Sequence, residues 1–323
     1  MSHLAPIISV LVALLSLAVI LSSRFGNKIQ DIPNERSLHS KPIPRIGGVG
    51  LMAGVLAGWL LMVDALAWWL ILPLFILFSV SLLDDMRGLL VRQRLSAQLL
   101  VSAILLGGSG FFAQQGMVVA GGLLLATVWM TNLYNFMDGS NGLAGGMALF
   151  GFAAYGVAAL FAHNEALAVL NFCISAAALG FLFYNFHPAR VFMGDAGSIP
   201  LGFLAAAMGL WGWQQGCWPA WFPLLVFSPF IVDATVTLIK RTLNGERVWQ
   251  AHRSHYYQRL VQMGWGHRKT ALWGYAMMMS AGVSAVCLLE QPSMIQYMGL
   301  AGWMLVYLMV LLNIDRMWMS RIL

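Results

Sequence analysis

Apolar runs of about 17 to 20 residues recur along this chain, and a helix of that length matches the roughly 30 Å hydrocarbon core of a bilayer. Hydrophobic residues make up 60% of the 323-residue sequence and charged residues 9%, against roughly a quarter charged in a soluble domain. Water is therefore excluded as the main solvent. The runs predict eleven helices, over 4–23, 46–63, 68–83, 96–112, 118–130, 143–161, 166–184, 199–213, 221–239, 271–289 and 297–313. The fifth and eighth are short for a full span. The first run has no basic residue ahead of it and no small-residue cleavage signature behind it, so it reads as a spanning helix rather than a secretory signal. The fold class expected is all-α, a single polytopic membrane domain over residues 1–323 with 10–11 spanning helices. Cys173, Cys217 and Cys287 lie in or beside separate apolar segments, without the spacing of a metal knuckle or a disulfide framework.

The 18 Lys and Arg residues exceed the 12 Asp and Glu, a formal charge of +6, but no soluble basic domain is present to hold a nucleic acid. All of these cations fall in alternate connections, Arg24 to Arg45, Arg87 to Arg94, Arg190, Lys240 to Lys269, and Arg316 with Arg321. The positive-inside rule makes those segments cytoplasmic. The cytoplasmic loops expected are about 24–45, 84–95, 131–142, 185–198 and 240–270, with the amino terminus outside and the carboxyl terminus inside. Asp31, Asp84, Asp85, Asp138, Asp195, Asp233 and five of the seven histidines share that face.

Four constellations on it carry chemistry. Asp84 and Asp85 end an apolar run, an expensive place for two carboxylates; one of them could bind a cation or accept a proton while the other orients Arg94, or both could form a solvated helix terminus. Asn132, Asn135 and Asp138 recur every third residue and run into glycines that let a backbone approach a phosphate, as a ligand loop or a packed turn. Asp195 sits between glycines, suited to a divalent cation or to capping the helix that follows. His252, Arg253, His255 and Arg259 gather in the longest basic loop, able to clamp a pyrophosphate; zinc would need further ligands that the spacing lacks.

In order along the chain, Asp31-Ile-Pro-Asn34, Arg36-Ser-Leu-His39, Pro44-Arg45-Ile-Gly-Gly48, Asp84-Asp85, Asn132 to Gly142, Phe192-Met-Gly-Asp195-Ala-Gly-Ser198 and Pro229-Phe-Ile-Val-Asp233 leading to Lys240-Arg241 resemble the loops of the bacterial polyprenyl-phosphate N-acetylhexosamine-1-phosphate transferases, the MraY- and WecA-like family. The last loop departs from the family's histidine-rich pattern and is similar to that of transferases that initiate O-antigen and other surface polysaccharides.

The resemblance implies a bacterial inner-membrane enzyme that transfers a sugar-1-phosphate, of N-acetylhexosamine or deoxy-N-acetylhexosamine type, from a UDP-sugar to polyprenyl (undecaprenyl) phosphate, releasing UMP. A peptidoglycan-type phospho-MurNAc-pentapeptide transferase is the alternative. It also implies Mg²⁺, with Mn²⁺ as a substitute, held chiefly by Asp195 with Asp85 or Asp138, and it is compatible with a homodimer. Asp84 is the candidate for deprotonating or positioning the lipid phosphate, Asn132, Asn135 and Asp138 for holding donor or metal, and His252, Arg253 and His255 for the pyrophosphate. Arg36, Lys41, Arg45 and Arg94 are candidate phosphate contacts. A secondary transporter is disfavoured because its ionisable groups should gather at the bilayer midplane. A CDP-alcohol phosphotransferase is disfavoured because the residues its motif requires after Asp138-Gly139 are absent.

Overall fold

The computed structural model describes residues 2–23, 29–33, 42–247, 250 and 252–322. Arg36 and Lys41 lie outside these residues. The chain forms α1 Ala5–Ser22, α2 Gly47–Trp59 with a 3-10 continuation Leu60–Ala65, α3 Trp68–Arg87, α4 Val91–Gly108, α5 Phe111–Phe136, α6 Leu143–Phe161 and α7 Glu165–Asn185. After these come α8 Asp195–Gln214, α9 Trp221–Val226, α10 Ser228–Leu243, α11 Tyr256–Leu260, α12 Gly266–Leu289 and α13 Ser293–Ile322. Each predicted run falls on a helix or, for the ninth, on the pair α9 and α10, so the all-α polytopic architecture stands.

Among the described residues nine segments are long and apolar enough to cross a membrane. The two remaining predicted runs are α4 and α9–α10. Helix α4 opens on Arg92 and Arg94, and α9–α10 breaks at Phe227 before Pro229, where proline cannot supply an amide to the preceding turn.

The predicted short helices are corrected upward. Helix α5 extends from Phe111 to Phe136 and merges two helical pieces at Gly116, whose φ is +76°. In its polar end Thr131 Oγ1 donates to Thr127 O (2.8 Å) and Asn132 Nδ2 to Val128 O (2.8 Å), bonds made one turn back within a helix that continues through them. Asn132 and Asn135 therefore stand on a helix, and the predicted 131–142 loop shrinks to 137–142. Likewise α8 begins at Asp195, not at 199.

Helix α7 packs on α1, α2 and α6, while α8 packs on α3 and α5. In the most apolar stretch of α8, 78% of residues are buried, against 6% in α13, which places the core at α6–α8 and leaves α13 on the periphery of the bundle. Small residues permit the closest approaches: a Cβ on Gly48 would lie 2.2 Å from the Gly197 backbone nitrogen, so α2 and α8 meet backbone to backbone. A two-residue antiparallel ladder, Gln30–Asp31 (β1) with Ile43–Pro44 (β2), precedes α2. It continues as a backbone zip onto the segment before α8, with Phe192 N–H donating to Pro44 O (2.8 Å), Gly47 N–H to Phe192 O (2.8 Å) and Gly48 N–H to Met193 O (2.7 Å). That zip delivers Arg45 to the mouth of α8.

Candidate active site

Three distant segments meet at the amino end of α8. Asp85, on the last turn of α3, accepts from Asp195 N–H at Oδ1 (3.1 Å) and from Ala196 N–H at Oδ2 (2.8 Å). It thereby caps α8 across 110 residues of sequence, a carboxylate at the positive end of a helix dipole. Asp195 does not cap its own helix. Its carboxylate, 5% exposed as a residue, accepts from Arg45 Nη2 and lies 3.6 Å from Arg94 Nη1. Arg45 Nη2 also reaches Asp85 Oδ1 at 3.1 Å. Asp84 accepts from Leu89 N–H (2.6 Å) and from Arg94 Nη1 (3.1 Å), the same nitrogen that faces Asp195. Gly194, with φ +71°, makes this possible: a Cβ there would sit 2.8 Å from both Arg45 O and Asp85 Oδ2.

The 137–142 turn borders this cluster. Burial pushes the Asp138 carboxyl well above the usual carboxylate range; the charges of Asp195 and Asp85 push the same way against the opposing pull of Arg45. Among the described residues none donates a hydrogen bond to that carboxylate, and the Asn135 amide makes none either. Burial works against the Arg45 charge, yet Asp195, Asp85 and Asp31 outweigh it and raise its pKa. Asn132 pairs with Gln98 of α4, Nδ2 to Oε1 at 2.6 Å.

Further around, Asn141 Nδ2 meets His187 Nδ1 (3.1 Å), Ser140 Oγ meets His267 Nδ1 (2.9 Å), and the two imidazoles stack with centroids 5.8 Å apart. Gly142 N–H donates to Asn185 Oδ1 (2.9 Å) and Tyr275 OH to Gly142 O (2.8 Å). His255 is buried and its Nδ1 lies 3.3 Å from Asp233 Oδ1. His252 stands beside it, centroids 4.8 Å apart, its pKa lowered to about 4, first by burial and then by the neighbouring His255 and Arg241. Arg253 is exposed; its carbonyl accepts from Gln262 Nε2 (2.8 Å).

Arg45, Asp84, Asp85, Arg94 and Asp195 thus form one contact network, with Asp138 in its field. His252 and His255 form a second group, joined to the first through Phe136 and the 137–142 turn. Gln98, Ser140, Asn141, His187, His267 and the Asp233–His255 contact escaped the sequence reading. Gln98 carried a usable signal, since it stands four residues after Arg94 on the same face of α4. His187 and His267 carried none without the fold. Among the described residues no three His, Cys, Asp or Glu side chains close into a metal cage.

The fold and site define a polytopic helical membrane protein with a carboxylate–guanidinium cluster at one end of its bundle. Residues 67–212 match the profile of glycosyl transferase family 4. The chain is 31% identical over 303 residues to a probable undecaprenyl-phosphate N-acetylglucosaminyl 1-phosphate transferase of Bacillus subtilis, covering 87% of this chain and 84% of that one. It is 28% identical to a decaprenyl-phosphate N-acetylglucosaminephosphotransferase of Mycolicibacterium smegmatis (78% and 73% covered). To a phospho-N-acetylmuramoyl-pentapeptide-transferase of Listeria welshimeri it is 25% identical (88% and 95% covered). The chain belongs to this family, the polyprenyl-phosphate hexosamine-1-phosphate transferases.

Proposed function

We propose that the protein transfers an N-acetylhexosamine-1-phosphate, or a deoxy-N-acetylhexosamine-1-phosphate, from a UDP-sugar to undecaprenyl phosphate in a bacterial inner membrane, working from the cytoplasmic face and initiating a surface polysaccharide such as an O-antigen. An oxygen of the lipid phosphate attacks the sugar-bearing β-phosphorus, a new P–O bond forms, the bond to the α-phosphate oxygen breaks, and UMP departs. The observation that carries this reading is the meeting of Arg45, Arg94, Asp84, Asp85 and Asp195, from three distant segments, beside an Asp138 carboxylate that no described residue engages.

The donor set fits Mg²⁺, which takes one or two carboxylates and completes its shell with phosphate oxygens and water. Asp138 and Asp195 would hold it, and Asp85, with both oxygens engaged at α8, would support it indirectly. When bound, the ion offsets phosphoryl charge. The rest falls to the protein. Arg45 and Arg94 orient and neutralise phosphate oxygens, held in place by Asp85, Asp195 and Asp84. Asp84 is committed to Leu89 N–H and Arg94, so its role is to aim that arginine. The lipid phosphate has a second pKa near 6 and needs little help to ionise. His255 and Arg253, on the far side of the 137–142 turn, meet the pyrophosphate.

The relatives named for N-acetylglucosamine transfer, at 31% and 28% identity, support the N-acetylhexosamine reading; the pentapeptide transferase at 25% favours the alternative. Purified protein with undecaprenyl phosphate, Mg²⁺ and a panel of UDP-N-acetylhexosamines, their deoxy analogues and UDP-MurNAc-pentapeptide separates them by UMP release. Release above background is expected for the simple sugars; release only from the pentapeptide donor selects the alternative, and none from any donor by folded protein refutes the reaction. Single cysteines placed near Glu165 and near Arg247 should label from opposite sides of the membrane.

A further inference from the structure

Asp233, Thr237, Lys240 and Arg241 share one face of α10, and each is anchored. Lys240 Nζ donates to Asp315 Oδ2 and to Tyr256 OH (2.6 Å), and Arg241 Nε to Glu246 Oε2 (2.7 Å). Asp233 is the most heavily engaged. Its carboxylate receives Tyr256 N–H at Oδ1 (2.9 Å), Tyr257 N–H at Oδ2 (2.9 Å) and Thr237 Oγ1–H (3.2 Å), with His255 Nδ1 at 3.3 Å.

An ionised carboxylate only accepts, so His255 Nδ1 carries the proton in this contact. Among the described residues the other ring nitrogen, Nε2, has no hydrogen-bond partner. The ring plane is fixed as well. It stacks near Phe136 (centroids 6.2 Å apart) and Tyr257 (5.9 Å), and Tyr257 OH donates to Phe136 O (3.0 Å). The same hydroxyl lies against Gly139, where a Cβ would meet it at 2.2 Å, next to Asp138. One buried carboxylate therefore sets the start of α11, the tautomer of His255 and the plane of its ring against the turn that carries Asp138.

We propose that Asp233 is the positioning residue of His255: it holds the imidazole through Nδ1–H so that Nε2 faces the phosphates of the donor, and it touches no substrate itself. The proposal rests on reading His255 as a pyrophosphate ligand. At metal sites, a carboxylate that orients a ligating imidazole accounts for roughly 10- to 100-fold in activity, and the same order is expected for a pair that fixes the tautomer without the imidazole acting as a base. A carboxylate that merely capped α11 would act on stability, independently of His255.

Two measurements separate these. In ¹⁵N-histidine-labelled protein, the ring signals lost in His255→Ala identify His255. They should show a protonated Nδ1 in the wild type and should move in Asp233→Asn, while the signals of the histidines away from this contact stay in place. A His255 signal unmoved by Asp233→Asn overturns the proposal. In the kinetic cycle, Asp233→Asn should lower kcat by roughly 10- to 100-fold with a smaller change in KM for the UDP-sugar, yet by less than about twofold in a His255→Ala background, because the two act as a unit. Single effects that multiply in the double variant, with a matching fall in Tm, assign Asp233 to the cap alone and overturn the proposal. Should Asp233→Asn fail to fold, Asp233→Glu retains the charge but displaces it by one methylene, and both measurements are read on that variant. If wild-type protein releases UMP from no UDP-sugar, the functional reading fails while the ¹⁵N experiment still decides whether Asp233 holds His255.

Discussion

Two charged clusters belong to the same end of the bundle and are built on opposite principles. At the mouth of α8, four carboxylates (Asp84, Asp85, Asp138 and Asp195) face two guanidiniums, Arg45 and Arg94. Among the described residues the carboxylates outnumber the guanidiniums, and none donates a hydrogen bond to the Asp138 carboxylate. Between α10, α11 and α13, Asp315 is met by Lys240 Nζ at Oδ2, by Arg259 Nη1 at Oδ1 (2.8 Å) and by Tyr256 OH at 3.2 Å. Both cations also lie over the Tyr256 ring, at 5.3 and 4.9 Å. That cluster is closed: each oxygen is used, and it fastens the otherwise peripheral α13 to α11. The contrast is between a cluster whose carboxylate oxygens are all taken up by partners within the fold and one that, among the described residues, keeps a carboxylate open.

Asp195→Asn gives the largest expected effect and tests the open cluster. The cap of α8 uses the Asp195 backbone N–H and the Asp85 carboxylate, so folding should survive. Turnover should lose several kcal/mol of transition-state stabilisation, the scale expected when charge on a transferring phosphoryl group is no longer offset. UMP release against Mg²⁺ concentration, with thermal unfolding in detergent alongside, checks both halves. Near-normal turnover with unchanged Mg²⁺ dependence would remove Asp195 from the site.

Asp315→Asn should do the reverse. Losing the charge-assisted bonds to Lys240 and Arg259 should cost about 1.5–3 kcal/mol of stability, read as a lower Tm, while specific activity below that Tm is mostly retained. An activity loss as large as that of Asp195→Asn would erase the distinction between the clusters.

Asp138 sharpens it through pH. Its carboxyl pKa is raised above the unfolded value, first by burial. The folded protein therefore binds the extra proton from about pH 4 upward, and stability falls as pH rises from there through the raised value. Asp138→Asn removes that loss, so its Tm should exceed that of the wild type at about pH 8 and converge with it near pH 4. Mg²⁺ should raise the wild-type Tm at the higher pH more than that of the variant. Equal pH profiles for the two proteins would show that Asp138 is not charged in this window.

The smallest effect belongs to His252, whose pKa is lowered to about 4, first by burial. The unfolded chain binds the proton more readily between about pH 6.5 and that value, so stability is lost as pH falls through this interval. His252→Gln should flatten this part of the Tm–pH curve slightly, because the side chain is partly exposed. A steeper curve would point to a different titrating group.

Much of the architecture was legible because its cause is local. A run of apolar residues long enough to cross hydrocarbon announces a helix whatever surrounds it, and segregation of Lys and Arg sorts the connections without reference to packing. Helix ends were less legible. The polar turn of α5 at Thr131 and Asn132 reads as a loop by composition but is helical, its side chains bonding one turn back, and the start of α8 depends on Asp85, 110 residues earlier. The ninth run carried its break in plain view at Pro229.

The sequence by itself determined that this is a helical membrane protein and which residue types stand on its basic face, since hydrophobic length and charge segregation are properties of a segment and its solvent. It also supplied the candidate site residues, Asp84, Asp85, Asp138, Asp195, Arg45, Arg94 and His255, with one pairing offered, Arg94 with a carboxylate of the Asp84–Asp85 pair, which the structure gives to Asp84. Only the tertiary structure decided who meets whom. Asp84 and Asp85 are neighbours in the chain, but about 100° of helical rotation separates their side chains, sending one to Arg94 and Leu89 and the other to α8 and Arg45. Asp233 and His255 are distant in the chain yet meet because α10 and α11 pack with the carboxylate at the first turn of α11. Such pairings depend on the register of packed helices, which is set by long-range contacts such as the Gly48–Gly197 approach, and no stretch of local sequence contains that register.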